Sequence, residues 1–388
     1  MKKVMKNNQD LMRLSFIPMM VLSLFIGYSC TSVEYGYIDK GDGSSVPPGK
    51  TNVQFRFDIQ PSIVDAPDMY VVAMSRIVNE LHYVETLGHD GNLYEDSSYD
   101  HVDNGNEEEA GTVPERSIFT VNDGDYYMIS FGSNGNYEIS DIEAFRDNSV
   151  GMKNLYAVLP ALDDAGVSEL YDDFSADFNP SYPVISSANP LFLSIRKVSL
   201  NTGQVPVEVV FAPEELTVNM RFKVRINVED GVDVRRVLAE ISGIPSSVQL
   251  MSGIVDNKDL CKVAIELSLT GKSGNQLIFE GSARTLGIFT SDNTASISGP
   301  GILRLYISAS SASGEKNKSL YAGFNLKTLV EEASVMLETE NGNGYRAVKD
   351  NVLFEMPDLT VNYEKVIGGK DDAVGGWFEY IDVIEGEI

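Results

Sequence analysis

The chain has 388 residues, 43% of them hydrophobic, so it can bury a sizeable core, and its length favours two domains over one. Its formal net charge of −27 argues against nucleic acid as a partner, because a phosphate backbone attracts basic surfaces, and suits an exposed, self-repelling, soluble protein. Charge alone assigns no function.

Residues 1–13 hold Lys2, Lys3, Lys6 and Arg13 against one acid, Asp10, and Leu14 to Ile26 is an apolar run interrupted only by Ser15, Pro18 and Ser23. This is a basic n-region followed by an h-region too short for a comfortable membrane span. The run ends Ile26-Gly27-Tyr28-Ser29-Cys30, which resembles the lipobox of bacterial lipoproteins in its relaxed form; Tyr28 stands where the strict pattern has a small residue. The alternatives are an ordinary signal peptide or an anchoring helix. On the lipobox reading, residues 1–29 are a lipoprotein signal peptide and Cys30 becomes the acylated first residue. Cleavage removes four positive charges and one negative, taking −27 to −30. Cys261 then has no disulfide partner in the chain and is expected to behave as a small buried hydrophobe. Residues 30–50, with Gly41, Gly43, Gly49 and Pro47-Pro48, read as a flexible tether.

Thr51 to Ile59 alternates, with Val53, Phe55, Phe57 and Ile59 on one face, and Met69 to Met74 is a second strand. Leu81 to Pro114 reads as a polar insertion carrying all three histidines, His82, His89 and His101. Histidines with carboxylates suit zinc or calcium, but their spacing matches no ligand motif, so a solvated loop is expected and no metal. Ile118 to Val121 and Tyr126 to Phe131 are expected as two strands joined by a tight turn at Asn122-Asp123-Gly124. Leu155 to Leu159 is another strand, Val167 to Phe174 a short helix, and Leu191 to Val198 and Val205 to Phe211 further strands. A domain boundary is expected near Asn201 to Gln204, giving domains over 51–200 and 201–388.

Leu216 to Val228 is the chain's spine. Seven apolar residues alternate strictly with Thr217, Asn219, Arg221, Lys223, Arg225 and Asn227. That period belongs to a strand with one face packed and one wet, and at about 3.3 Å per residue it runs roughly 40 Å. Asp230 to Leu238 is expected to form a helical turn or two. Val263 to Leu269, Gln276 to Glu280, Thr285 to Phe289, Ile302 to Ala309, Leu320 to Leu326 and Leu353 to Tyr363 read as strands, Asn325 to Ser334 as a short helix, and Phe378 to Ile384 as a last strand.

Several segments together resemble the fimbrillin-like lipoproteins of Bacteroidales, in particular the subunits that anchor major and minor fimbriae. They are the lipobox, Asp123-Gly124-Asp125-Tyr126-Tyr127, the run Ala239 to Val248 with Ser252-Gly253, and Ala283 to Phe289. The resemblance implies an all-β chain of two transthyretin-like Greek-key β-sandwiches in series. It further implies attachment to the outer membrane through lipid, and a part in fimbrium assembly with shaft or accessory subunits as partners. An anchor of this kind offers a groove or edge strand to the first shaft subunit, and the family brings no catalytic residues.

The residues themselves supply no enzyme. There is no G-x-S-x-G, and Gly271-Lys272-Ser273 lacks the first glycine of a phosphate loop, Glu266 standing in its place. No cofactor is expected. Arg221, Lys223 and Arg225 form a basic row that could receive an acidic partner; the competing reading pairs them with the chain's own acids, such as Glu208 or Glu266. A surface lipoprotein binding a glycan or host protein is the alternative function, with Tyr94, Tyr99, Tyr126, Tyr127 and Tyr137 as the aromatic cluster to inspect.

Overall fold

A computed structural model describes residues 39–40, 46–61, 63, 65–93, 117–135, 137–172, 174, 182–201, 206–255, 258–291, 298–311, 318–337, 345–348 and 352–368. The expected signal peptide, Cys30, most of the expected tether and insertion, and the expected strand after Trp377 lie outside them. The first strands are β1 (Asp39–Lys40), β2 (Lys50–Phe57), β3 (Met69–Arg76), β4 (His82–Gly88), β5 (Phe119–Asn122), β6 (Gly124–Ser133), β7 (Glu138–Ile139) and β8 (Tyr156–Val158). Next come β9 (Val184–Ile185), β10 (Leu191–Leu200), β11 (Val207–Phe211), β12 (Glu214–Glu215), β13 (Val218–Val228), β14 (Val232–Pro245), β15 (Ser247–Gln249), β16 (Ile254–Val255), β17 (Leu260–Ser273) and β18 (Gln276–Thr285). The last are β19 (Ile302–Ser311), β20 (Lys318–Asn325), β21 (Ser334–Leu337), β22 (Tyr345–Val348), β23 (Val352–Glu355), β24 (Leu359–Val361) and β25 (Val366–Gly368). Helices are short: α1 (Ile142–Arg146), α2 (Asp164–Leu170) and α3 (Lys327–Ala333).

The all-β expectation holds. One sandwich sets the sheet β1-β5-β2-β11 against the antiparallel sheet β12-β10-β6-β3-β4. Its core takes alternate residues of each strand: Val53, Phe55 and Phe57 from β2, Tyr70, Val72 and Met74 from β3, Tyr126 and Met128 from β6. The intervening residues of the second sheet, Ala73, Ile129 and Phe131, are also buried, because they face Phe145, Met152 and Leu155 in a separate and larger core. That sheet is therefore dry on parts of both faces. β11 joins the first sandwich by running parallel to β2, with Val209 opposite Phe55.

In the second sandwich β17 serves two layers. Its first half pairs β14, while its second half, beyond Leu267, pairs β18. The resulting layers are β20-β19-β14-β17 and β17-β18-β13 with the C-terminal strands, and Val237, Ile241, Leu305 and Ile307 of one meet Met220, Phe222, Val224 and Phe279 of the other. A small sheet, β16-β15-β8-β7, unites residues 138–158 with residues 247–255.

Three expectations are corrected. Val232 to Leu238 is strand, not helix, with Val237 and Leu238 fully buried. Asn122-Asp123-Gly124 joins no hairpin: β5 stays in one sheet with β1 and β2 while β6 enters the other with β10 and β3. The polar insertion begins later than Leu81, because His82 to Gly88 is β4 and His82 is buried at 2% exposure.

Candidate interaction surface

β13 presents the face its alternation dictates. Met220, Phe222, Val224 and Ile226 are fully buried, and Phe222 stacks on Phe354 of β23 at 5.5 Å between ring centres. On the opposite face the three cations differ in surroundings. Lys223 lies in register between Glu280 of β18 and Glu355 of β23 and pairs with Glu280 at 3.4 Å. Arg225 reaches Glu355 at 3.3 Å and Asp358 at 3.8 Å. Arg221 lies between Ser282 and Leu353, is exposed, and makes no ion pair among the described residues.

Own-acid pairing thus claims two of the three cations, but with other acids than expected. Glu208 pairs with Arg56 at 3.5 Å and Glu266 with Arg236 at 3.2 Å. Glu355 and Asp358 were invisible as partners because they come from the end of β23 and the link to β24, a segment that arrives beside β13 from far along the chain.

Next to Arg221 the wet face carries Leu353, 40% exposed, and then a polar cleft of about 450 Å³ lined by Asp65, Asn134, Ser187, Asn219, Ser282 and Arg284. Arg284 pairs with Glu215 and lies 3.8 Å from Asp65, so its charge is taken up internally. No group of three or more metal-ligating side chains occurs among the described residues.

Among the described residues the tyrosines of the cluster form no exposed platform. Tyr126 is fully buried, and its hydroxyl donates to the Asn122 carbonyl at 2.6 Å. Tyr127 and Tyr137 pack against the larger core, Tyr137 donating to the Asn189 carbonyl at 3.2 Å. Tyr94 and Tyr99 lie outside the described residues. His82 stacks on Phe145 at 4.1 Å and its Nδ1 is 3.0 Å from the Phe145 carbonyl, while Nε2 has no partner; burial pushes its pKa down. Cys261 is a buried free thiol, raised to about 12 by desolvation, as an inert packing residue should be.

One constellation escaped the sequence. Glu240 of β14 and Lys262 of β17 are paired at 3.0 Å beneath the segment that contains α2, and both are nearly inaccessible. Their signal was present: each is a lone charge inside an apolar run, Leu238-Ala239-Glu240-Ile241 and Cys261-Lys262-Val263-Ala264.

No family model matches the chain and no curated protein does. Among solved structures it is similar to a candidate adhesin from Bacteroides ovatus ATCC 8483, at 11% identity over 84% of this chain and 97% of that one, with a TM-score of 0.49. It is also similar to the fimbrial anchor protein Mfa2 from Porphyromonas gingivalis, at 13% identity over 80% and 90% of the two chains and a TM-score of 0.39. A candidate cell adhesion protein from Bacteroides eggerthii shares 11% identity over 89% and 96%, with a TM-score of 0.37.

Proposed function

We propose that this chain is a non-enzymatic cell-surface lipoprotein, held in the outer membrane by lipid on Cys30, that anchors a fimbrium or takes part in its assembly. The observation that carries the reading is the basic and apolar leader ending at Ser29-Cys30, followed by a Gly- and Pro-rich spacer and then an all-β body. A folded body held off a membrane by a spacer is placed to receive other surface proteins. An all-β body also supplies the means, since an exposed sheet edge binds an added strand through main-chain hydrogen bonds, with side-chain pockets setting specificity. Among the described residues β4, β11, β20 and β25 each end a sheet. The domains we propose are two sandwiches in series over 51–200 and 201–388, the first sheet being completed by β11. The Arg221 row, with Arg221 its least engaged member, is the contact we propose for an acidic stretch of a shaft or accessory subunit.

The test is mass spectrometry of the mature N-terminus together with a crosslinked pull-down from intact cells. An acylated Cys30 with a fimbrial subunit attached is the expected result. An unmodified N-terminus and no fimbrial protein in the pull-down would overturn the anchor reading. Arg221→Glu should reduce recovery of the subunit while leaving the membrane fraction unchanged.

A further inference from the structure

The buried pair of β14 and β17 has the arrangement of reactants rather than of a surface ion pair. Lys262 Nζ lies 3.0 Å from Glu240 Oε2, with side-chain exposures of 3% and 4%. Two hydroxyls converge on that same oxygen: Tyr171 at 2.6 Å, from the end of α2, and Tyr306 at 3.3 Å, from β19. Around them Phe174, Val184, Leu238 and Ala264 complete an apolar enclosure. A further charged group that acts on the pair is Arg304, directly opposite Glu240 in the β14–β19 register.

In such a site the ionised pair is costly, because desolvation of two charges offsets much of their attraction. Burial and the nearby Arg304 both push the Lys262 amine toward its neutral form. Moving the proton from the ammonium to the carboxylate leaves a neutral nucleophile in hydrogen-bond contact with a neutral acid.

We propose that Lys262 and Glu240 condense to an isopeptide cross-link joining β14 to β17. The Nζ lone pair attacks Cδ of the protonated Glu240 carboxyl and forms the Nζ–Cδ bond. The Cδ–Oε1 bond breaks, and Oε1 leaves as water with the carboxyl proton and one proton from the amine. No oxidant or external reagent is required. Negative charge on Oε2 in the tetrahedral intermediate is received by the Tyr171 and Tyr306 hydroxyls, which act as an oxyanion hole. Release of water from a closed apolar site and removal of two buried charges favour the product. This cross-link is independent of the anchoring role and would be present whatever the partner.

The experiment is peptide mapping of the full chain after denaturation and proteolysis, read by mass spectrometry. A branched peptide joining the Lys262 and Glu240 segments, lighter than the sum of its parts by one water, is the expected result. Wild-type protein that yields only linear peptides, with proteolytic cleavage after Lys262, would overturn the proposal without reference to any variant. Glu240→Ala and Lys262→Arg should each abolish the branched species. Tyr171→Phe, which keeps the ring, should slow its appearance by roughly a hundredfold, whereas an unchanged rate would remove Tyr171 from the mechanism.

Discussion

Gly243 shows how one residue can fix a strand. Its φ is +85°, and a Cβ there would lie 2.5 Å from the Phe289 carbonyl oxygen and 2.7 Å from the Gly301 nitrogen, both main-chain atoms. The close approach is used: Phe289 N–H donates to the Gly243 carbonyl at 2.8 Å and Gly301 N–H to the Ser242 carbonyl at 3.0 Å. Gly243→Ala should cost about 3 kcal/mol, from strain and overpacking together, whereas Gly49→Ala, also at positive φ but in open space, should cost about 1 kcal/mol. Thermal melts of the two variants check the ordering. His82 offers a pH test. Its folded pKa is depressed below 6.5 by burial, so the unfolded chain binds more protons as pH falls through that value. Stability from the neutral ring is therefore complete above about pH 6.5 and declines below it. The drop in melting temperature between about pH 7.5 and 5 should shrink in His82→Phe. At this scale the sequence was least informative. A histidine at the head of a polar insertion looks solvated until α1 sets Phe145 against it, and nothing local places Tyr171 over Glu240.

At the scale of elements, β13 was legible because its alternation is unbroken; the structure ends it at Val228 as the pattern requires and starts it at Val218, two residues after Leu216. Phe222→Ala should cost about 3–5 kcal/mol and Lys223→Ala within about 1 kcal/mol, measured as shifts in urea midpoint. β14 was misread for a reason visible in its pairing. The register with β19 slips between Val234 and Arg236, and that bulge breaks period two just where a helix was expected. The Asn122-Asp123-Gly124 signal was real but marked a crossing between layers rather than a hairpin, a distinction that depends on which strands lie on either side. The C-terminal strands could be read as strands but not placed, since β23 and β24 both run parallel to β13. Ending the chain after Asn351 removes them and should leave the β13 edge open, giving multimers by size-exclusion chromatography; a stable monomer would show that edge to be unneeded.

At the scale of the whole molecule, the larger core draws residues from strands on both sides of residue 201, Ile129 and Leu193 as well as Phe222 and Leu305, and the small sheet ties residues 138–158 to 247–255. Regions so interleaved should unfold together, and calorimetry is expected to give one transition; two separated transitions would show that the shared core contributes little coupling. The parallel pairing of β13 has a further consequence for how the protein is made. A strand that completes a hairpin can close as it emerges, but β13 gains its last neighbours only once residues 352–361 have been delivered. β2 waits in the same way for β11. During synthesis each half therefore passes through a stage in which its central strand is finished and unguarded, and a chaperone that shields β-edges would find a client surface there.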